Sequence, residues 1–176
     1  MYKGYGVHHI ALGVKDLKKM KSFYESTLGF DQVFMEFPKA EYEALQEVVR
    51  MPHPVYAAAL LNQSAGGIIL ELVQMFNPVA RPIRKDFRYG DIGLSKMTIL
   101  VSNVEKLFKD LKGRINFCCA PKSIMISGRG EYRFVYCTDP EGNLIELVTA
   151  PKMFVKDEFG GFVCVGINRK LVDLTV

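Results

Sequence analysis

The sequence predicts an α+β protein made of two copies of one strand–helix–three-strand module. Three observations carry that prediction. Apolar runs and turn signals follow the order strand, helix, strand, strand, strand, and that order occurs twice along the 176 residues. Two pairs of segments lie over each other: VKDLKKMKSFYESTLG at 14–29 on VSNVEKLFKDLKG at 101–113, and GGIILELVQ at 66–74 on EGNLIELVT at 141–149. Each copy ends in an apolar strand broken by one acid, Glu71 in the first and Glu146 in the second. Internal self-similarity of this kind dictates architecture before any single element does.

The elements follow in order. Residues 6–14 (GVHHIALGV) are a strand candidate. Asp16 then reads as an N-cap, since its carboxylate can accept from the open N–H groups of a first helical turn. The helix predicted over 17–28 carries Leu17, Met20, Tyr24 and Leu28 near one stripe, and Gly29 suits a left-handed stop. A strand is expected at 31–37. Over 41–50, Tyr42, Leu45, Val48 and Val49 take helical spacing opposite Glu41, Glu43 and Glu47, which predicts a short inserted helix ended by Pro52 and Pro54. Strands at 55–61 and 67–74 follow across a polar turn at 62–66. The connector at 76–91 holds Pro78, Pro82, Arg81, Arg84, Lys85 and Arg88.

The second copy repeats the scheme. A strand at 94–101 leads to a helix at 104–111, capped by Ser102 or Asn103, with Val104, Leu107, Phe108 and Leu111 on one stripe and Gly113 at its end. Strands at 116–126, 131–138 and 143–149 complete it, with a hairpin turn at 127–130. The last strand is introduced by Asp139-Pro140-Glu141-Gly142-Asn143, where proline presets φ and Gly142 and Asn143 tolerate φ > 0. The modules are thus 6–75 and 92–150 of a single domain, with 151–176 as a C-terminal extension. Within that extension, 162–168 faintly echoes the start of a module and reads as an added strand or the beginning of a third one.

Composition narrows the function classes. Hydrophobic residues make up 49% and charged residues 24%, which are globular values and exclude a disordered or fibrous chain. A net charge of +4 without a long run of like charge gives nucleic acid no footprint. Residues 1–6 lack a signal-peptide core, and the longest apolar run, 55–61, is far short of the ~20 residues that span a bilayer. A cytoplasmic protein without membrane or nucleic-acid partners is expected. Cys118, Cys119, Cys137 and Cys164 contain no C-x-x-C pair, so reduced structural thiols are expected.

Side chains alternate across a strand, so Glu146 shares a face with Leu144 and Val148, and Glu71 with Ile69 and Val73. A carboxylate on an apolar face is costly unless it meets a partner or a cation. The two matched acids are therefore the first functional candidates.

Three segments, V-H-H-I-A-L-G-V-x-D-L at 7–17, F-Y-x-x-x-L-G-F at 23–30 and D-P-E-G-N-x-I-E-L at 139–147, resemble the vicinal oxygen chelate superfamily. Its members include glyoxalase I, methylmalonyl-CoA epimerase, extradiol dioxygenases, fosfomycin-resistance enzymes and the metal-free bleomycin-resistance proteins. The resemblance implies two βαβββ modules paired around a shared cup-shaped site, with metal ligands on the first and last strands of each module. Carried over, the ligands are His9, Glu71 and Glu146. The fourth position, usually His, holds Lys96.

One imidazole and two carboxylates suit a divalent ion such as Zn, Ni, Mn or Fe, which would act as a Lewis acid. Glu146, or Glu71, could then move a proton as general base. The implied function is a glyoxalase- or epimerase-like metalloenzyme performing proton transfer or lyase chemistry on a small oxygenated substrate. Dioxygenase chemistry fits less well, because only His9 is available on the expected strands. The alternative is a metal-free small-molecule binding protein of the bleomycin-resistance type.

Lys96 separates these readings. Its ammonium can swing away and leave three ligands, replace the ion by pairing with Glu71 and Glu146, or act as base or nucleophile with a lowered pKa. His8 is expected on the opposite face from His9, and His53 at the surface. The basic connector residues are a solvated stretch or a clamp for an anionic tail, the 41–50 helix a lid or a packing insertion, and Tyr132, Phe134 and Tyr136 core or cup wall. A homodimer is implied by the resemblance alone.

Overall fold

The computed structural model describes residues 7–64, 67–83, 86, 88–127 and 130–149, together with the backbone of 153–156 and 162–165. The chain is α+β and divides into two compact units, Met1–Arg84 and Lys85–Val176, each holding one βαβββ module.

In the first unit β1 (His9–Gly13) leads to α1 (Leu17–Leu28), then β2 (Gln32–Glu41), β3 (Val55–Asn62) and β4 (Ile69–Asn77). The strands order as β1-β4-β3-β2. The first and last strands are parallel neighbours and the rest pair antiparallel. Asp16 caps α1 by accepting from the Lys19 N–H at 3.0 Å, a contact worth about 1 kcal/mol. Gly29 ends the helix at φ 73°, which a Cβ would strain. Met20, Tyr24 and Leu28 are buried and α1 packs on β3 and β4, where Leu61, Leu70 and Leu72 are buried in turn.

Two expectations change here. β2 runs on to Glu41, through Pro38, because an edge strand tolerates a residue without an N–H. It carries register shifts between Val33 and Met35 and between Phe37 and Ala40. The inserted helix shrinks to a 3-10 turn at Glu43–Leu45 and one turn, α2, at Gln46–Val49. Its start is lost to β2, where Glu41 pairs with Val55, and Arg50 at φ 56° stops its end.

In the second unit β5 (Met97–Leu100) leads to α3 (Val104–Leu111), then β6 (Asn116–Phe117), β7 (Lys122–Ile126), β8 (Gly130–Thr138) and β9 (Leu144–Thr149). The order is β5-β9-β8-β6, with β7 also on β8. The single strand expected at 116–126 is thus two short ones on the same neighbour, interrupted at 118–121, where Pro121 can donate nothing to a ladder. Asn103 caps α3, accepting from Lys106 N at 2.7 Å. α3 packs on β8 and β9, and Val104, Leu111, Val135, Cys137, Ile145 and Leu147 are buried.

The modules repeat in detail. Leu17 N–H donates to Gln74 Oε1 at 2.9 Å, and Val104 N–H donates to Thr149 Oγ1 at 3.0 Å. Gln74 and Thr149 stand three residues after Glu71 and Glu146. The same position in each last strand therefore ties down the first N–H of each helix. In the extension, β10 (Met153–Lys156) and β11 (Phe162–Val165) form an antiparallel pair. The rest of 151–176, like Arg84, Lys85 and the turn residues 65–66 and 128–129, lies outside the described residues.

Candidate functional site

In the first unit the parallel pairing sets Ala11 in register with Glu71 and His9 with Ile69. β3 sets Leu60 on the other side of Glu71. Residues in register share a face, so His9 and Glu71 lie on the sheet face opposite α1. His9 Nε2 is 3.3 Å from Glu71 Oε2, with side chains 41% and 18% exposed.

His8 was expected to point away. It is exposed, yet its Nδ1 is 2.8 Å from His9 Nδ1. Strand alternation does not govern it, because β1 begins at His9. One of the two facing nitrogens must carry the shared proton and the other accept it. The His8 ring also meets Phe34 of β2 edge-on at 6.5 Å. β1 and β2 are opposite edges of this sheet, so only strong curling brings these rings together.

The Tyr42 ring lies tilted against Tyr56 at 4.3 Å and meets Phe37 edge-on at 6.3 Å, which packs the start of the insertion onto this unit. Burial, then Tyr42 and Glu71, pushes the Tyr56 hydroxyl pKa up. His53 is a surface residue paired with Glu41 at 2.7 Å.

In the second unit three strands set Thr98, Glu146 and Tyr136 abreast, through the pairings Thr98 to Glu146 and Tyr136 to Glu146. The turn before β9 fixes this placement. Buried Asp139 accepts from the N–H groups of Glu141 and Asn143, both at 2.9 Å, and from Asn143 Nδ2 at 2.7 Å. Gly142 takes φ 96° within that turn.

Glu146 is 4% exposed. Its Oε2 accepts from Lys96 Nζ at 2.5 Å and from Thr98 Oγ1 at 2.8 Å. Lys96 Nζ also donates to Tyr136 Oη at 3.1 Å. Burial alone would lower the Lys96 pKa; the hydrogen bonds to Glu146 and Tyr136 and the Glu146 charge outweigh it, and the net shift is upward. That direction runs against the lowered pKa that the base or nucleophile reading of Lys96 needs. The ammonium is on Glu146, not swung away from it.

Sequence reasoning left Tyr136 open between core and cup wall and assigned Thr98 no partner. The signal for both was their alignment with Glu146, which depends on long-range register. Arg81 and Arg88 of the connector are exposed, and Arg84 and Lys85 are outside the described residues.

Among the described residues no three His, Cys, Asp or Glu side chains gather into a group able to hold a metal. The expected ligands differ in chemistry. His9 and Glu71 face each other with a nitrogen and a carboxylate oxygen. Glu146 Oε2 already serves an ammonium and a hydroxyl, and an ammonium beside a dication is unfavourable. As placed, Glu146 does not fit a divalent ion. No helix among the described residues is long and apolar enough to cross a membrane.

The sequence pattern of the Glyoxalase/Bleomycin resistance protein/Dioxygenase superfamily matches residues 6–147. No curated protein sequence matches the chain. Among solved structures, a glyoxalase family protein from Bacillus cereus has a TM-score of 0.66 at 15% identity, covering 84% of this chain and 95% of its own. A glyoxalase family protein from Enterococcus faecalis has a TM-score of 0.55 at 20% identity, covering 82% and 97%. The trypanothione-dependent glyoxalase I of Leishmania major has a TM-score of 0.53 at 19% identity, covering 82% and 86%. Identities this low show a shared fold and nothing of activity. The pattern match spans most of the chain, which folds as the two βαβββ modules its repeat predicts: it belongs to the Glyoxalase/Bleomycin resistance protein/Dioxygenase superfamily.

Proposed function

We propose that this chain is a small-molecule binding member of the superfamily, of the metal-free bleomycin-resistance type, with the Lys96 ammonium standing in for the ion. The observation that carries this reading is the 2.5 Å contact between Lys96 Nζ and Glu146 Oε2. The pair is mostly withdrawn from water, with side chains 23% and 6% exposed. A dication taking Glu146 would displace the Lys96 ammonium from its carboxylate and leave two positive charges side by side in a site mostly withdrawn from water, which is unfavourable. Lys96 and Tyr136 instead orient donors on the open sheet face, and Glu146 holds Lys96 in place.

A second reading has its own observation. The 3.3 Å approach of His9 Nε2 to Glu71 Oε2 leaves an imidazole and a carboxylate together in the first unit. That reading keeps His9, Glu71 and Glu146 as ligands of Zn, Ni, Mn or Fe. It requires Glu146 to leave Lys96, with glyoxalase- or epimerase-like proton transfer or lyase chemistry as the activity. A single-domain homodimer in the cytoplasm accompanies either reading, and sedimentation tests the assembly.

Metal analysis of protein purified without chelator, before and after adding Zn, Ni, Mn or Fe, separates the two. The wild type is expected to hold far less than one equivalent, whereas Lys96→His, which supplies an imidazole at that position, takes one up. About one equivalent on the wild type, lost in Glu71→Gln, would sink the metal-free reading.

A further inference from the structure

The Glu146 face has a property that the ion pair alone does not require. β8 places Tyr132, Phe134 and Tyr136 at alternate positions on that face, and Tyr89 stands against the last of them. Ring centroids follow at 6.2 Å from Tyr132 to Phe134, 5.9 Å on to Tyr136 and 6.0 Å on to Tyr89. None of these rings is buried, and Tyr89 is 63% exposed. A row serving only as core would be covered, as Val135 and Cys137 are on the opposite face of the same strand. The file of open π surface ends at Lys96, whose Nζ lies 5.2 Å from the Tyr136 ring centre and 5.6 Å from that of Tyr89.

The polar end of this file has protons to give. An ammonium carries three N–H groups. Among the described residues, two of them go to Glu146 Oε2 and Tyr136 Oη. Tyr136 Oη accepts from Lys96, so its own O–H remains a donor. Burial, offset in part by Lys96, pushes the Tyr136 pKa up, and the proton stays on at neutral pH. The two donor atoms are 3.1 Å apart, close enough to hold one ligand oxygen between them or to share a carboxylate.

We propose that this face binds a planar aromatic ligand bearing a conjugated oxygen acceptor, with the oxygen on Lys96 Nζ and Tyr136 Oη and the ring against Phe134 and Tyr132. The proposal rests on the metal-free reading of the same face. Because Glu146 balances the Lys96 charge, the donors hold an oxygen by hydrogen bonding more than by net attraction. Selection therefore falls on the ring. An aliphatic acid keeps the oxygen contacts and loses the offset or edge-to-face ring contacts.

The test is calorimetric titration of the full-length protein with benzoate and with cyclohexanecarboxylate, which match in charge and nearly in size. Benzoate is expected to bind about fivefold tighter. Tyr132→Leu and Phe134→Leu should each bring that ratio toward one while sparing cyclohexanecarboxylate. Tyr136→Phe should weaken both acids about fivefold and leave their ratio alone. Thermal melts check that each variant is folded, and Tyr132→Leu stands as the second variant should Phe134→Leu fail to fold. Equal affinities, no binding of either acid, or a ratio that Tyr132→Leu does not move would overturn the proposal. Equal affinities on metal-free protein overturn the aromatic preference alone. A stoichiometric metal on the wild type overturns the reading beneath it.

Discussion

The two modules put a glutamate at the same point of the same kind of sheet and surround it in opposite ways. Glu71 stands between Ala11 and Leu60, with His9 at 3.3 Å. Glu146 stands between Thr98 and Tyr136, with Lys96 at 2.5 Å. The first carboxylate thus has apolar flanks and one imidazole; the second is part of a set of hydrogen bonds shared with Lys96, Thr98 and Tyr136. Backbone duplication supplies the slot, and the residues abreast of it decide what the slot does. A resemblance drawn along the chain sees the duplicated acids. It does not see the lateral neighbours that give them different chemistry.

The largest effect expected to separate the modules is on stability. Lys96→Met leaves Glu146 buried with Thr98 as its remaining donor among the described residues and should cost about 2 kcal/mol in urea unfolding, below the full cost of a wholly buried pair because Lys96 keeps some contact with water. His9→Ala in the first module should cost under about 0.5 kcal/mol, since that pair is more exposed. Equal losses would break the comparison.

The pH dependence sharpens it. The Lys96 pKa is raised on folding from an ordinary value of 10.5. Folding therefore favours the protonated form. The stabilisation is whole below the unfolded-state value and is lost as pH rises toward the folded-state value. The gap between wild type and Lys96→Met should be constant from about pH 7 to about pH 9 and narrow at alkaline pH. A gap that widens there would contradict the pairing.

The smallest effects come from the flanks. Thr98→Val removes one donor from Glu146 and should cost about 1 kcal/mol. Ala11→Thr, which copies that flank into the exposed first-module position, should stay within about 0.5 kcal/mol. Denaturation midpoints of both variants measure the contrast directly.

Local signals in the sequence were enough for the module order, the cap at Asp16, a second cap at Ser102 or Asn103 that the structure places on Asn103, the stop at Gly29 and the two acids. Each of these depends on residues within a few positions of one another. The misreadings came from interactions beyond that range. The helical spacing over 41–50 is real, but Glu41 is claimed by its pairing with Val55. The run at 116–126 looks continuous until Pro121 is set against β8. His8 alternates with His9 only where a ladder exists, and the ladder starts one residue later. Tyr136 could not be assigned because both faces of β8 carry apolar side chains. Its value came from standing opposite Glu146, a partner ten residues away across a turn.

The irregular edge strand β2 has a consequence for solubility. Val33, Phe34 and Met35 are 44%, 55% and 44% exposed on a strand that, among the described residues, pairs on one side only, which is the usual template for sheet-to-sheet polymerisation. An incoming strand would meet two breaks in the ladder, at Val33/Met35 and Phe37/Ala40, and within the second of them Pro38, which has no hydrogen to offer. Regular cross-β growth needs an uninterrupted run of backbone donors and acceptors, and this edge does not present one. The two irregularities in β2 thereby work against fibre growth at the point where this edge carries its apolar side chains into solvent.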